Sequence, residues 1–250
     1  MDQDGVRWET YDGGRVPLRA NEVHLWRIDL DQERRNLGAM EANLSREEME
    51  RSKRFRYEKD REQFLLSHGT LREILGMYLR AEPKDIPIAI DSRGKPQIAG
   101  QKGKAKLSFN LSHSEGMVLI ATAMNCDLGV DVEHAEPDFP LMEVARRFFK
   151  EQEAEFVAST KGPERTEAFF SIWTRSEAYL KAIGAGLGSH RGGIPFFGGG
   201  TSSTSVQRFK NDREWTCFDI KLDGDYFGAL VAEGRDLGLR SFRWRLIRPK

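Results

Sequence analysis

The sequence predicts an α+β protein made of two similar subdomains, and three observations carry that expectation. Short strand-like apolar runs and helix-period segments are interspersed along the chain. The cycle restarts at Leu128, where "LGVDVEH" reads as a strand leading into a new set of helices. Arg54-Phe55 and Arg147-Phe148 hold similar places ahead of each half's long helix, which suggests an internal duplication of about 110 residues. The junction falls near Asn125–Asp127. This gives a loose, polar, Gly-rich arm over 1–22, a first subdomain over 23–125 and a second over 126–250.

In the first half, "EVHLWRIDL" carries the apolar run of a strand. Ser45 followed by Glu48 is a capping-box pattern that starts a helix. Leu65, Leu66, Leu71, Ile74, Leu75 and Met77 give a second helix, over about 61–79, its apolar face. "IPIAIDSRGKPQI" reads as a strand, a Gly-Pro turn and a short return strand, and "KLSFNLSHSEGMVLIATA" as two strands across a polar loop. In the second half, "LMEVARRFFKEQEAEFVAS" forms one or two helices and "TEAFFSIWTRSEAYLKAIGAG" a long one ending at Gly184-Ala185-Gly186. "WTCFDIKL" and "YFGALVAE" close the chain as strands.

The 250 residues balance 39 Lys plus Arg against 39 Asp plus Glu. A net charge of zero excludes whole-molecule attraction to nucleic acid or membrane, so any anion site must be a local cluster. Cys126 and Cys217 lack ligand-like spacing and fit a reducing cytoplasm. No basic segment precedes an apolar one at the N-terminus, so no signal peptide is expected. The run around Met117 to Met124 falls short of the ~18 residues a membrane span needs.

Three constellations carry chemistry. In Gly129-Val130-Asp131-Val132-Glu133, strand alternation puts Asp131 and Glu133 on one face and the valines in the core. Two adjacent carboxylates repel, and a hard divalent cation such as Mg²⁺ relieves that; the alternative is a solvated strand face. Trp173, Glu177 and Lys181 lie four apart on one helix face. There Glu177 could supply a third carboxylate and Lys181 could meet phosphate or act on a proton, or the two could form an ordinary helix pair. Arg93 and Lys95 beside Gly94, the Asn110-Leu111-Ser112-His113-Ser114 run, and the Arg51, Lys53, Arg54 cluster could each bind a nucleotide phosphate, or be a turn, a loop and a solvated face. The Gly-rich "HRGGIPFFGGGTSSTS" lacks the Gly-Lys-Ser/Thr ending of a phosphate loop and reads as a connection.

Taken in order, "RGKP", "FNLSHS", "GVDVE" and "WTRSEAYLKAIGAGL" resemble the surfactin-type, two-subdomain 4′-phosphopantetheinyl transferases, the holo-carrier-protein synthases. The resemblance runs from about Leu44 to Leu187, more faintly in the closing strands. It implies a pseudo-twofold pair of α/β subdomains with coenzyme A in the cleft between them. By position, Asp131, Glu133 and Glu177 match the Mg²⁺ carboxylates, with Mn²⁺ an alternative ion. Lys95 and the Ser112-His113 pair match the grip on the adenosine phosphates, alongside Arg93, and Arg51 matches a basic CoA contact. Lys181 matches a lysine assigned to a CoA contact and to proton transfer.

The implied reaction moves phosphopantetheine from CoA to a serine of an acyl or peptidyl carrier protein and releases 3′,5′-ADP. Glu177 and Lys181 both stand as candidates for the base. Ser176 replaces the lysine of the family's Trp-x-x-Lys-Glu, and Glu48 stands where some relatives have a CoA-binding lysine. Arg146-Arg147-Phe148-Phe149-Lys150 could offer basic and aromatic residues to an acidic carrier helix, or hold its phenylalanines in the core with the arginines solvated. A monomer is expected, with no nucleic-acid or membrane partner. The competing readings are an inactive CoA-binding module and a Mg²⁺-dependent phosphodiesterase.

Overall fold

A computed structural model describes residues 6–103, 105–185, 206–210 and 213–246 of the protein, so the Gly-rich segment 190–205 lies outside the described residues. The first half opens with strand β2 (Glu22–Asp29), preceded by a short strand β1 (Trp8–Thr10). Short helices α1 (Leu30–Glu33), α2 (Leu37–Ala42) and α3 (Arg46–Ser52) lead to the 22-residue α4 (Glu58–Leu79). The Ser45 hydroxyl accepts the Glu48 N–H and the Glu48 carboxylate accepts the Ser45 N–H, the expected capping box of α3. A small hairpin, β3 (Ile88–Ile90) and β4 (Pro96–Ile98), precedes β5 (Leu107–Ser114) and β6 (Met117–Met124). The helices α1 and α2 within 30–42 were not anticipated; at four and six residues they are too short to show a helical period.

The second half repeats this plan. It has strand β7 (Leu128–His134), short helices α5 (Leu141–Phe148) and α6 (Glu151–Ser159), and the 22-residue α7 (Gly162–Ile183). Strands β8 (Val206–Lys210), β9 (Glu214–Lys221), β10 (Tyr226–Glu233) and β11 (Gly238–Arg243) follow. The first sheet runs β1-β11-β2-β6-β5 and the second β7-β10-β9-β8. In each half the opening strand pairs antiparallel with the last strand of a hairpin: β2 with β6, which pairs β5, and β7 with β10, which pairs β9. The duplication is thus visible in the order of the strands.

Strand alternation sorts the core into layers. Val23, Leu25, Leu119 and Ala121 of the first sheet meet Val130, Val132, Phe218 and Leu230 of the second. The opposite face of the first sheet, with Trp26, Ile28, Val118 and Ile120, packs on Leu66, Leu71, Ile74 and Leu75 of α4. The opposite face of the second packs Cys217, Ala229 and Val231 on Ala178, Tyr179 and Ala182 of α7. The result is helix, sheet, sheet, helix.

Two details depart from the sequence expectation. The arm is not loose at residues 8–10, because β1 pairs parallel with β11 and Arg240 bridges Glu9 at 2.8 Å. Strand β11, last in the chain, pairs parallel with β2 in the first sheet, so its hydrogen bonds tie the end of the second half to the first.

Candidate active site

Strand β7 and helix α7 touch backbone to backbone at Gly129. A Cβ there would lie 2.1 Å from the Ala178 carbonyl oxygen and 2.4 Å from the Ala182 nitrogen. The glycine of "GVDVE" therefore sets how closely the helix lies on the strand. With Val130 and Val132 buried against the first sheet, Asp131 and Glu133 face the helix, where Trp173, Glu177 and Lys181 form one stripe. The indole N–H of Trp173 donates to Glu133 Oε1 at 3.4 Å. Lys181 Nζ donates to Asp131 Oδ1 at 2.7 Å, Ser112 Oγ at 2.8 Å and the Val130 carbonyl at 3.2 Å.

Strand β5 supplies the third wall. It is an edge strand of the first sheet and lies beside β7, an edge strand of the second. Three alternate residues of β5 reach across. Asn110 Oδ1 accepts the Val130 N–H at 2.9 Å, Ser112 Oγ donates to Asp131 Oδ1 at 3.0 Å, and Ser114 Oγ donates to Glu133 Oε2 at 3.2 Å. Ser114 also accepts the His134 N–H at 3.0 Å. Side chains thus satisfy free edge N–H groups of β7 and orient both of its carboxylates. Asn110 and Ser114 lie in the run that the sequence marks as a possible phosphate contact; in the fold their period-two spacing, Asn-x-Ser-x-Ser on a strand, turns them to β7 instead.

Burial, with mutual repulsion among the acids, disfavours the charged form of all three carboxyls. Asp131 is 3 % exposed, and burial raises its carboxyl above the usual range against the pull of Lys181 and Ser112. Burial and then the charge of Asp131 raise Glu133. Burial first, then the charge of Asp131, push Glu177 up to about 7. Asp131 Oδ2 and Glu177 Oε1 are buried with no hydrogen-bond partner among the described residues. Oxygen-only donors with unpartnered buried carboxylate oxygens fit a hard divalent ion. Among the described residues no three His, Cys, Asp or Glu side chains already close around one point, and the Lys181 ammonium pairs with Asp131.

A cavity of about 400 Å³ adjoins this site. Its walls include Arg51, His68, Arg72, Ile90, Pro96 and Asn110. Asn110 also bonds the Val130 N–H beside Asp131, so cavity and carboxylates share a wall. Arg51 is exposed, with its guanidinium 5.1 Å from the Phe64 ring centre. Glu48 does not face an anion as a free charge: it accepts from Arg72 and from His68 Nδ1 at 3.2 Å while capping α3. Exposed His113 accepts through Nδ1 from the Gln63 amide nitrogen at 2.7 Å.

The structure thus gathers Asp131, Glu133, Glu177, Lys181 and Ser112 into one cluster, and places Arg51 on the adjoining cavity. Lys95 and Arg93 lie elsewhere. Lys95 Nζ donates to the Leu128 and Ala182 carbonyls, both at 2.9 Å, and Arg93 donates to the Ile183 carbonyl at 2.9 Å. Arg175 does not replace the missing lysine at 176: it turns to Asp219, at 2.7 and 2.8 Å, and Ser176 is itself buried. Phe148 is exposed at 44 % beside exposed Arg146 and Arg147, with its ring edge-on to Trp173 at 5.9 Å.

Comparison with known proteins agrees with this geometry. Residues 127–231 match the 4′-phosphopantetheinyl transferase superfamily, and residues 31–125 match the 4′-phosphopantetheinyl transferase N-terminal family. The chain is 41 % identical over 219 residues to the 4′-phosphopantetheinyl transferase HetI of Nostoc sp., covering 88 % of this chain and 91 % of that one. It is 28 % identical over 144 residues to the 4′-phosphopantetheinyl transferase Sfp of Bacillus subtilis, covering 58 % and 62 %. It is 23 % identical over 252 residues to the L-aminoadipate-semialdehyde dehydrogenase-phosphopantetheinyl transferase of Mus musculus, covering 93 % and 76 %. The carboxylate cluster, the repeated strand order and a relative matched over nearly its whole length agree, and the chain belongs to the 4′-phosphopantetheinyl transferase superfamily.

Proposed function

We propose that this enzyme transfers 4′-phosphopantetheine from coenzyme A to a serine of an apo acyl or peptidyl carrier protein, releasing 3′,5′-ADP. The observation that carries the reading is the Asp131, Glu133, Glu177 and Lys181 cluster set beside a cavity of nucleotide size. Asp131, Glu133 and Glu177 would hold Mg²⁺, or Mn²⁺ in its place. Bound there, the ion would offset negative charge developing on the pyrophosphate.

The chain's own residues do the rest. The cavity wall with Arg51 and His68 receives the adenosine end, and Ser112 and His113 follow directly on β5 from the lining Asn110 and Leu111, with Ser112 bonded to Asp131. The carrier serine oxygen forms a bond to the pantetheine-bearing phosphorus as the bond to the bridging oxygen breaks, and the serine proton must leave. Lys181 Nζ donates to Ser112, Asp131 and the Val130 carbonyl, the role of a charged ammonium and not of a neutral base, which leaves Glu177 as the acceptor and Lys181 as a positive contact near the phosphates. Arg146, Phe148 and Lys150 form the carrier-docking patch of this reading, since Phe148 meets Trp173, which in turn contacts Glu133.

The reading includes subdomains at 23–125 and 126–250 and a monomeric, cytoplasmic enzyme without nucleic-acid or membrane partners. Zero net charge supports only the part that sees no nucleic-acid partner; no helix among the described residues is long and apolar enough to cross a membrane. The test is to follow 3′,5′-ADP chromatographically with CoA and Mg²⁺, with and without apo carrier. Release that requires carrier and equals the holo carrier formed supports transfer. Release without carrier would indicate a phosphodiesterase instead.

A further inference from the structure

The Asp91–Pro96 turn belongs by sequence to the first half, yet its cations are spent on the second. Helix α7 ends at Gly184, whose φ of +70° is left-handed. Its last four carbonyls would be left without helical partners. The Ala185 N–H takes Leu180 O at 2.8 Å and the Gly184 N–H takes Lys181 O at 3.3 Å. Lys95 Nζ takes Ala182 O and Arg93 takes Ile183 O, each at 2.9 Å. The four are therefore fully accounted for, two by backbone and two by this turn.

Lys95 does more than cap. Its second bond, to Leu128 O at 2.9 Å, is to the first residue of β7, so one ammonium joins the start of the strand bearing Asp131 and Glu133 to the end of the helix bearing Glu177 and Lys181. It does so beside the Gly129 contact, where strand and helix backbones already touch. The turn itself is firmly built. Asp91 Oδ1 accepts the Arg93 N–H at 2.8 Å and the Lys95 N–H at 2.9 Å, and Gly94 supplies a φ of +84°. The Arg93 side chain lies over Gly184, 3.0 Å from where a Cβ would stand. The other face of the same hairpin, with Ile88, Ile90 and Pro96, walls the cavity.

We infer that Lys95, assisted by Arg93, is a positioning residue rather than a phosphate ligand. It fixes α7 against β7, and so sets Glu177 and Lys181 against Asp131 and Glu133. Because Pro96 follows it directly, an occupant of the cavity presses on the same hairpin, and filling the cavity steadies the catalytic helix. The coupling rests on the cavity being the nucleotide site proposed above; the clamp on α7 does not.

Lys95→Met keeps the stem and removes the donors. Amide hydrogen exchange at Gly184 and Ala185 should quicken in this variant, and adenosine 3′,5′-bisphosphate should slow it in the wild type. Binding of that bisphosphate should stay within about threefold of wild type while kcat at saturating CoA falls about 10- to 100-fold, the scale of a displaced catalytic group. Lys95→Arg, which can still reach both carbonyls, should recover most of kcat. Bisphosphate binding weakened more than about tenfold with kcat intact would overturn the inference in favour of a phosphate contact. Unchanged exchange at 184–185 would overturn the clamp. Should Lys95→Met not fold, Arg93→Met, which removes the Ile183 bond and the side-chain pair with Asp91 but leaves Lys95 in place, is expected to show the same pattern at smaller size, and an unaltered kcat and exchange there would count against it. Exchange is read without any transfer, so a wild type that transfers nothing would defeat the functional proposal and leave the clamp to be judged separately.

Discussion

Glu177 shows most clearly what burial does to a single residue in this site. Its carboxyl titrates at about 7 because it is enclosed and then because Asp131 and Glu133 lie near, with Lys181 pulling the other way. In the unfolded chain it returns to 4.5. A raised folded value means the native state holds its proton more tightly, so stability is fully present below about 4.5 and is lost as pH rises through about 7. His24, lowered to about 4 by burial, works in the opposite direction, so the comparison must be between variants. In EDTA, Tm of the wild type should fall more steeply between pH 4.5 and 7 than Tm of Glu177→Gln, and Mg²⁺ should reverse the fall only in proteins that keep the carboxylates. Parallel curves would show that Glu177 is not the strained group. Ser176 is a second residue-scale case. It is 7 % exposed, so a lysine there must run its stem along the helix to bring the ammonium to the phosphates. Ser176→Lys should raise kcat/KM for CoA by about tenfold, the effect of ~1.4 kcal/mol from a restored charged contact. An unchanged or lower value would mean the site does without it.

Elements, more than isolated residues, decide how much of this site could be read from the sequence. The faces of β7 and α7 were legible, because alternation in "GVDVE" and four-residue spacing in Trp173, Glu177 and Lys181 are local geometry. Their mutual contact through the glycine at 129 was not read from the sequence, because what a missing Cβ would meet depends on the partner helix. Gly129→Ala places a methyl group 2.1 Å from a backbone oxygen that cannot rotate away. It should cost about 3 kcal/mol or more by urea unfolding, at the top of the usual range for overpacking, and lower kcat as α7 is pushed off β7. A neutral Gly129→Ala would show that the helix can shift freely. What could not be read were partners far along the chain. Lys95 and Ala182 are 87 positions apart, Ser112 and Asp131 meet across two sheet edges, and Arg175 finds Asp219. A basic residue in a turn looks the same in sequence whether it meets a phosphate or a carbonyl.

At the scale of the whole molecule, two copies of one plan leave an edge strand of each sheet side by side, and the proposed active site lies along that seam. The first half contributes Asn110, Ser112 and Ser114, and the second contributes the carboxylates and Lys181, so neither half holds the site alone. The duplication was visible in the sequence as a cycle restarting at Leu128 and as similarly placed Arg-Phe pairs, but not as a strand order, which leaves no mark on composition. The returning β11 left none either, since a parallel pairing across more than 200 positions has no local signature. With zero net charge, recognition of an acidic carrier depends on local patches. Arg146→Glu combined with Lys150→Glu should raise KM for carrier about tenfold, with KM for CoA unchanged. Equal loss of both would point to a folding defect.

The most direct measurement is the intact mass of an apo carrier protein after incubation with this enzyme, CoA and Mg²⁺. The expected result is a gain of one phosphopantetheine per carrier, abolished by EDTA and by Asp131→Ala while the variant keeps its fold. An unchanged mass across acyl and peptidyl carriers, with CoA still bound in a parallel titration, would contradict transfer and leave a CoA-binding module.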